Sequence, residues 1–127
     1  MLFRSLWEFV GEANRFVDSE RPWELAKSAT SGDAIAATQL RDVLGDLLEA
    51  CRLIALYAAP AMPASASRVW SLLGHDWPYD AKGHGGPLLS ALGAWGALAP
   101  AGRIGEPTPL FPRLDVEEQV DGDAPAR

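Results

Sequence analysis

QLRDVLGDLLEACRLIALYAAPAMP, residues 39–63, decides the fold. In its first half Leu40, Val43, Leu44, Leu47 and Leu48 recur at helical spacing and are expected to face inward, leaving Arg41, Asp42, Asp46 and Glu49 on a solvated side. After Arg52 the run LIALYAA is apolar on every side, and a helix apolar all round has to be surrounded by other elements. Three or more neighbours are therefore required. Pro60 and Pro63 end the helix, because a proline ring clashes with the preceding turn and supplies no N–H. Upstream, Asp33 is placed to accept a free backbone N–H as N-cap. The predicted helix then runs for about 26 residues to Ala58 or Ala59, roughly 39 Å at 1.5 Å per residue.

The neighbours are sought on both sides of that helix. Phe3, Leu6, Val10, Ala13 and Val17 step by three and four, and Trp7 and Phe16 widen the stripe, which predicts an amphipathic helix over residues 2–18. It begins almost at Met1 with no capping residue before it, so the helix is expected to start further upstream. Pro22 opens a short second helix in which Trp23 and Leu25 are expected to tuck against the bundle, and Ser28–Gly32 reads as a linker. Beyond the proline corner, Val69, Trp70, Leu72 and Leu73 form the apolar face of a further helix, with Gly74 as its left-handed cap. The two helices flanking Pro60 and Pro63 make an αα-hairpin. Residues 75–87 have loop chemistry, LLSAL at 88–92 adds a helical turn, and the Gly/Pro-rich stretch 93–115 predicts an extended arm lying on the bundle. Residues 116–127 are acidic and poor in apolar groups, the composition of a disordered tail.

Charge narrows the partners. The formal charge is −6, but Asp115–Arg127 holds five acids and one arginine, leaving 12 acids against 10 bases upstream. A nearly neutral body does not hold nucleic acid by phosphate neutralisation alone, so any RNA contact has to be local and aromatic. Five tryptophans supply the aromatic surface. Cys51, the single cysteine, excludes an internal disulfide and a cysteine-rich zinc site, and suits a reducing compartment. The N-terminus shows neither a signal peptide nor a span of about 20 apolar residues, which makes cytoplasm, with no membrane, the simplest location.

No stretch assembles a catalytic constellation. His75 and His84 stand nine apart with Asp76 and Asp80 nearby, a spacing that matches no helical zinc pair; they read as loop histidines. GHGGP, residues 83–87, lacks the preceding strand and the lysine of a phosphate-cradling loop. Glu49 and Arg52, three apart on one helix, read as a modest surface or groove ion pair worth a few tenths of a kcal/mol. Trp95 stands out, since GAWGAL surrounds its ring with small residues that do not cover it. It either pins the arm to the bundle or offers a platform for an unpaired base, worth roughly 1–3 kcal/mol per base.

Three segments, in order, resemble the C-terminal anticodon-binding domain of methionyl-tRNA synthetases. Ala13-Asn14-Arg15-Phe16-Val17-Asp18 with Pro22-Trp23-Glu24-Leu25-Ala26-Lys27 is similar to that family's ANRYID…PWxLAK. Leu47 to Ile54, with Pro60-Ala61-Met62-Pro63 and Val69-Trp70, is similar to LLEALRLIA…PFMP…IW, although Ala61 replaces a phenylalanine. Trp95-Gly96-Ala97-Leu98, Gly102, Ile104-Gly105 and Pro109 to Asp115, including Pro112 and Arg113, are similar to WGxL…G…IG…PLFPRID. The resemblance implies an anticodon-stacking role for Trp95 and structural roles for Asn14, Pro22, Trp23, Arg52, Pro60, Pro63, Trp70, Pro112 and Arg113.

It also implies an all-α fold, an incomplete antiparallel helix bundle (1–92) with an extended C-terminal arm (93–115) and the acidic tail (116–127). Nothing in the chain resembles the family's catalytic domain, so ATP and zinc are expected to belong to a part outside it, and no catalytic or metal-binding residue is assigned. The partners implied are the methionine tRNA, in the context of the whole enzyme, and that catalytic part or another chain. Bundle helices preceding residue 2 are expected to be missing, leaving Leu6, Val10 and part of Ile54–Ala58 exposed and liable to self-association. A stand-alone helical protein-interaction module, and a detached tRNA-binding module acting in trans, are the alternatives.

Overall fold

The computed structural model describes residues 2–80, 84–87 and 89–113. The fold is an all-α bundle, with no strand among the described residues. Its elements are α1 (Leu2–Glu20), α2 (Pro22–Thr30), α3 (Ala34–Ala58), α4 (Pro63–Leu72) and the single turn α5 (Leu89–Leu92). α1, α2 and α4 each pack against α3; around its all-round apolar half the neighbours are α1, beside Leu53 and Tyr57, and α4 and α5, whose Trp70 and Leu92 bury Leu56.

Local chemistry sets the boundaries. Asp33 accepts hydrogen bonds from the Ile35 and Ala36 amides at 2.9 and 3.0 Å, satisfying two of the donors that open α3. Pro22 and Pro63 are the first residues of α2 and α4, where a missing N–H costs nothing. At the end of α4, Gly74 takes φ +85°, and a Cβ there would run into the Arg103 carbonyl and Ala101. That close approach brings the arm onto the bundle. The Gly105 amide then donates to the Leu72 carbonyl at 2.7 Å, and Arg68 donates to the Thr108 hydroxyl at 3.3 Å. The arm has no helix or strand over residues 93–113 and lies along α4, as its glycines and prolines predict.

The deepest core joins the second half of α3 to α4 and α5. Leu56, Trp70 and Leu92 are buried together, with Trp77, Tyr79 and Leu98 packed around them. Trp70 and Trp77 meet edge to face at 5.5 Å, and Trp77 and Tyr79 at 5.4 Å, geometries that aromatic quadrupoles favour. The segment after residue 74 is therefore more than loop: it supplies two of the core's aromatic rings.

Three expectations are corrected. Leu6, Ala55, Leu56 and Ala58 are buried and Val10 and Ile54 half-buried: Leu6 and Phe9 of α1 share one seam with Leu53 and Tyr57 of α3, and Leu56 is buried against Trp70 and Leu92. On α1 the exposed apolar surface lies instead along the edge of that face, at Phe3 and at Trp7, which is 67% exposed. Second, Leu44 (45% exposed) and Leu48 (39%) do not face inward, since the buried side of this half of α3 carries Ala36, Val43 and Ala50. Third, Trp23 does not tuck in: it is 49% exposed on the first turn of α2. The tail 116–127 and the arm's last two residues, Leu114 and Asp115, lie outside the described residues, as do Met1 and Leu88.

Candidate nucleic-acid interface

Arg52 is the group around which the site is built. Its place on the wholly apolar half of α3 takes the guanidinium inside the bundle, where the residue is 1% exposed, the only buried charged residue among those described. A buried guanidinium must have all its demand for acceptors met. Its Nε donates to Glu49 Oε2 at 2.8 Å and its Nη2 to Oε1 at 2.5 Å, a two-pronged pair one helical turn apart. Two further bonds reach the last residue of α5 and the chain beyond it: Nη1 to the Leu92 carbonyl at 2.6 Å and Nη2 to the Ala94 carbonyl at 3.0 Å. The planar cation also lies 5.6 Å from the centre of the Trp70 ring.

Glu49 completes the arrangement by accepting a hydrogen bond from the Gly96 amide at 2.8 Å. Tyr57 donates its hydroxyl proton to the Gly93 carbonyl at 3.2 Å, and a Cβ on Gly93 would collide with that hydroxyl and with the Leu89 carbonyl. Three carbonyls and one amide between Leu92 and Gly96 are thus tied to α3. The Arg52 hydrogen bonds hold the Glu49 carboxyl below the usual carboxylate range against the opposing effect of burial, with help from the Gly96 amide and the Arg52 charge. The modest pair expected from spacing alone is a buried bridge between α3 and the start of the arm.

Within this tied segment Trp95 projects outward, 56% exposed. It stands at the edge of a groove of about 940 Å³, floored by Leu40, Leu44 and Leu48 and walled by Leu98 and Pro100. The exposure of Leu44 and Leu48 belongs to this groove. Its rim carries Arg41, Asp42 and Asp46, so the entrance is slightly acidic. Such a groove holds a ligand by stacking and apolar contact, with little help from phosphate attraction.

The other residues singled out in the sequence are dispersed. Trp70 joins Arg52 at the base of the site, its indole N–H making no hydrogen bond among the described residues. Asn14 is exposed on α1; Pro60 and Pro63 form the exposed corner between α3 and α4; Pro112 and Arg113 are exposed on the arm. None of these, nor Pro22 or Trp23, lines the groove. His75 is no free loop residue but packs against Trp70 at 5.9 Å, and the His84 amide donates to Asp80 at 2.8 Å. Cys51 is at the surface, yet apolar neighbours push its thiol pKa up, which makes it a poor nucleophile. Among the described residues no group of three or more His, Cys, Asp or Glu side chains could hold a metal ion, and no helix is long and apolar enough to cross a membrane.

The site missed by sequence reasoning is Glu49 as a ligand of the arm. Its only sequence signal is a carboxylate one turn before an arginine that opens a wholly apolar run, a place where a charge must find buried partners.

Fold and site together define a small helical bundle organised on one central helix, with an arm bridged to it through Glu49 and Arg52. Over nearly its whole length the chain is similar to methionine–tRNA ligases: it is 32% identical to that of Mycobacterium leprae over 127 residues, all of this chain, and 30% identical to that of Fusobacterium nucleatum over 115 residues, 91% of it. The ligase of Lactiplantibacillus plantarum is 30% identical over 119 residues. The chain is thus related to the methionine–tRNA ligase family, and it spans 21% of the M. leprae protein and 16% of the other two. No protein-family model matches it, and no solved structure matches it.

Proposed function

We propose that the chain is a tRNA anticodon-recognition segment of a methionine–tRNA ligase, acting in the cytoplasm and contributing to charging only together with a catalytic part. ATP and zinc belong, on this reading, to that part. The observation that carries it is an exposed indole held on a fixed backbone segment in a chain whose relatives carry the name methionine–tRNA ligase. An unpaired base stacked on Trp95 needs no basic surface, which fits the nearly neutral body.

Trp23 is a second platform, and two observations favour it. It is half exposed, and it stands on the first turn of α2, whose N-terminus has no side-chain cap and is preceded by the exposed cation Arg21. The Arg21 guanidinium suits a phosphate beside a base stacked on Trp23. The acidic rim beside Trp95 lacks that advantage.

Titration with a methionine tRNA and with an anticodon-substituted copy tests the proposal. Tighter binding of the intact anticodon is expected, with Trp95→Ala or Trp23→Ala weakening it about 5- to 150-fold, the equivalent of one stacked base. Equal affinity for the two RNAs would remove anticodon recognition. The apolar groove floored by Leu40, Leu44 and Leu48 would then favour a protein-interaction module.

A further inference from the structure

We infer that Glu49 and Arg52 are positioning residues for Trp95: together they clamp the segment Leu92–Gly96 into a ledge that presents the indole over the α3 groove. The inference deepens the anticodon-recognition reading through Trp95 and rests on it for its role in binding, but the clamp itself is readable without RNA.

The geometry leaves little else to orient the ring. Trp95 is more than half exposed, so packing against its own faces is incomplete. Its backbone is fixed on both sides by one ion pair: the Ala94 carbonyl accepts from Arg52 Nη2 at 3.0 Å and the Gly96 amide donates to Glu49 Oε1 at 2.8 Å. The same carboxylate oxygen receives Arg52 Nη2 at 2.5 Å, so both flanks meet at a single point on α3. Arg52 also takes the Leu92 carbonyl at 2.6 Å, fixing where α5 ends and the ledge begins. A lysine at position 52 keeps the charge but not the planar fork, and its three donors cannot make the four bonds that Arg52 makes to Glu49, Leu92 and Ala94. A glutamine at position 49 keeps an acceptor for Gly96 and loses the charge that anchors the fork.

The test uses the whole chain labelled with 5-fluorotryptophan, the Trp95 resonance being identified by its loss in Trp95→Phe. In Arg52→Lys and Glu49→Gln the Trp95 line is expected to move and broaden, while the Trp7 and Trp23 lines and the helical circular dichroism stay as in the parent. Methionine-tRNA affinity in Arg52→Lys is expected to fall by the same factor as in Trp95→Ala, and the double variant to lose no more than Trp95→Ala alone. An unchanged Trp95 line in folded Arg52→Lys would overturn the clamp. If Arg52→Lys does not fold, Glu49→Gln decides by the same line, and loss of fold in both would also overturn it. A moved Trp95 line with RNA affinity indifferent to Trp95→Ala keeps the clamp and removes Trp95 from RNA recognition.

Discussion

A single buried guanidinium does two jobs here, and both carry testable costs. Removing Arg52 leaves Glu49 charged in a largely buried place and strands the Leu92 and Ala94 carbonyls, so Arg52→Ala is expected to lose about 3–5 kcal/mol in urea unfolding. Glu49 gives the pair a pH signature. Its pKa is lowered in the folded chain, chiefly by the Arg52 hydrogen bonds, so its contribution to stability is complete above the ordinary glutamate range, about 4.3, and is withdrawn as pH falls through the lower folded value. Melting temperature measured from pH 7 down to pH 3 should fall less steeply in Glu49→Gln; equal slopes would show that the pair adds nothing to acid stability. Glu12, also lowered by its arginine, is fully exposed and serves as the comparison that should leave the slope nearly unchanged. Gly93→Ala should destabilise by about 1–3 kcal/mol, since its methyl group meets the Leu89 carbonyl and the Tyr57 hydroxyl, with partial recovery when Tyr57→Phe removes that hydroxyl. None of this was legible in spacing alone. Glu49 and Arg52 look like any helical ion pair until the partners 40 residues or more downstream are known.

Elements whose limits depend on local chemistry were the ones legible in the sequence. Asp33, Pro22, Pro63 and Gly74 each act within a turn of where they stand, and each marks a boundary that the structure keeps. Asp33→Ala should cost about 1 kcal/mol and Asp33→Asn less, measured by urea unfolding, because only the alanine removes the acceptor for Ile35 and Ala36. The facing of the helices was harder. The stripe Leu40, Leu44, Leu48 is as regular as a core stripe, but small residues, Ala36, Val43 and Ala50, occupy the tightly packed side and leave the leucines to the groove. In the same way α1 turns Leu6 inward and Trp7 outward, a choice between two apolar neighbours that periodicity cannot make.

At the scale of the whole molecule, Phe3 and Trp7 form one exposed apolar patch a helical turn apart on α1. Sedimentation over a range of concentrations is expected to show association that Phe3→Ser with Trp7→Gln abolishes; a monomer in both would mean the patch is too small to drive contact. The all-α architecture and the arm were legible because apolar periodicity and Gly/Pro density are properties of long stretches, and the resemblance segments spread over most of the chain. The arm's attachment points were not, being single hydrogen bonds such as Gly105 to Leu72. Those attachments, and the Arg52 bridge above all, have a consequence in time. On a ribosome α3 emerges long before Leu92, Ala94 and Gly96, which follow their α3 partners by 40, 42 and 47 residues. Until they arrive, the guanidinium must stay hydrated and the centre of the bundle cannot close around it. Folding of this chain therefore finishes from its C-terminal side, and a nascent chain halted before residue 96 should remain open to proteases that the completed one resists.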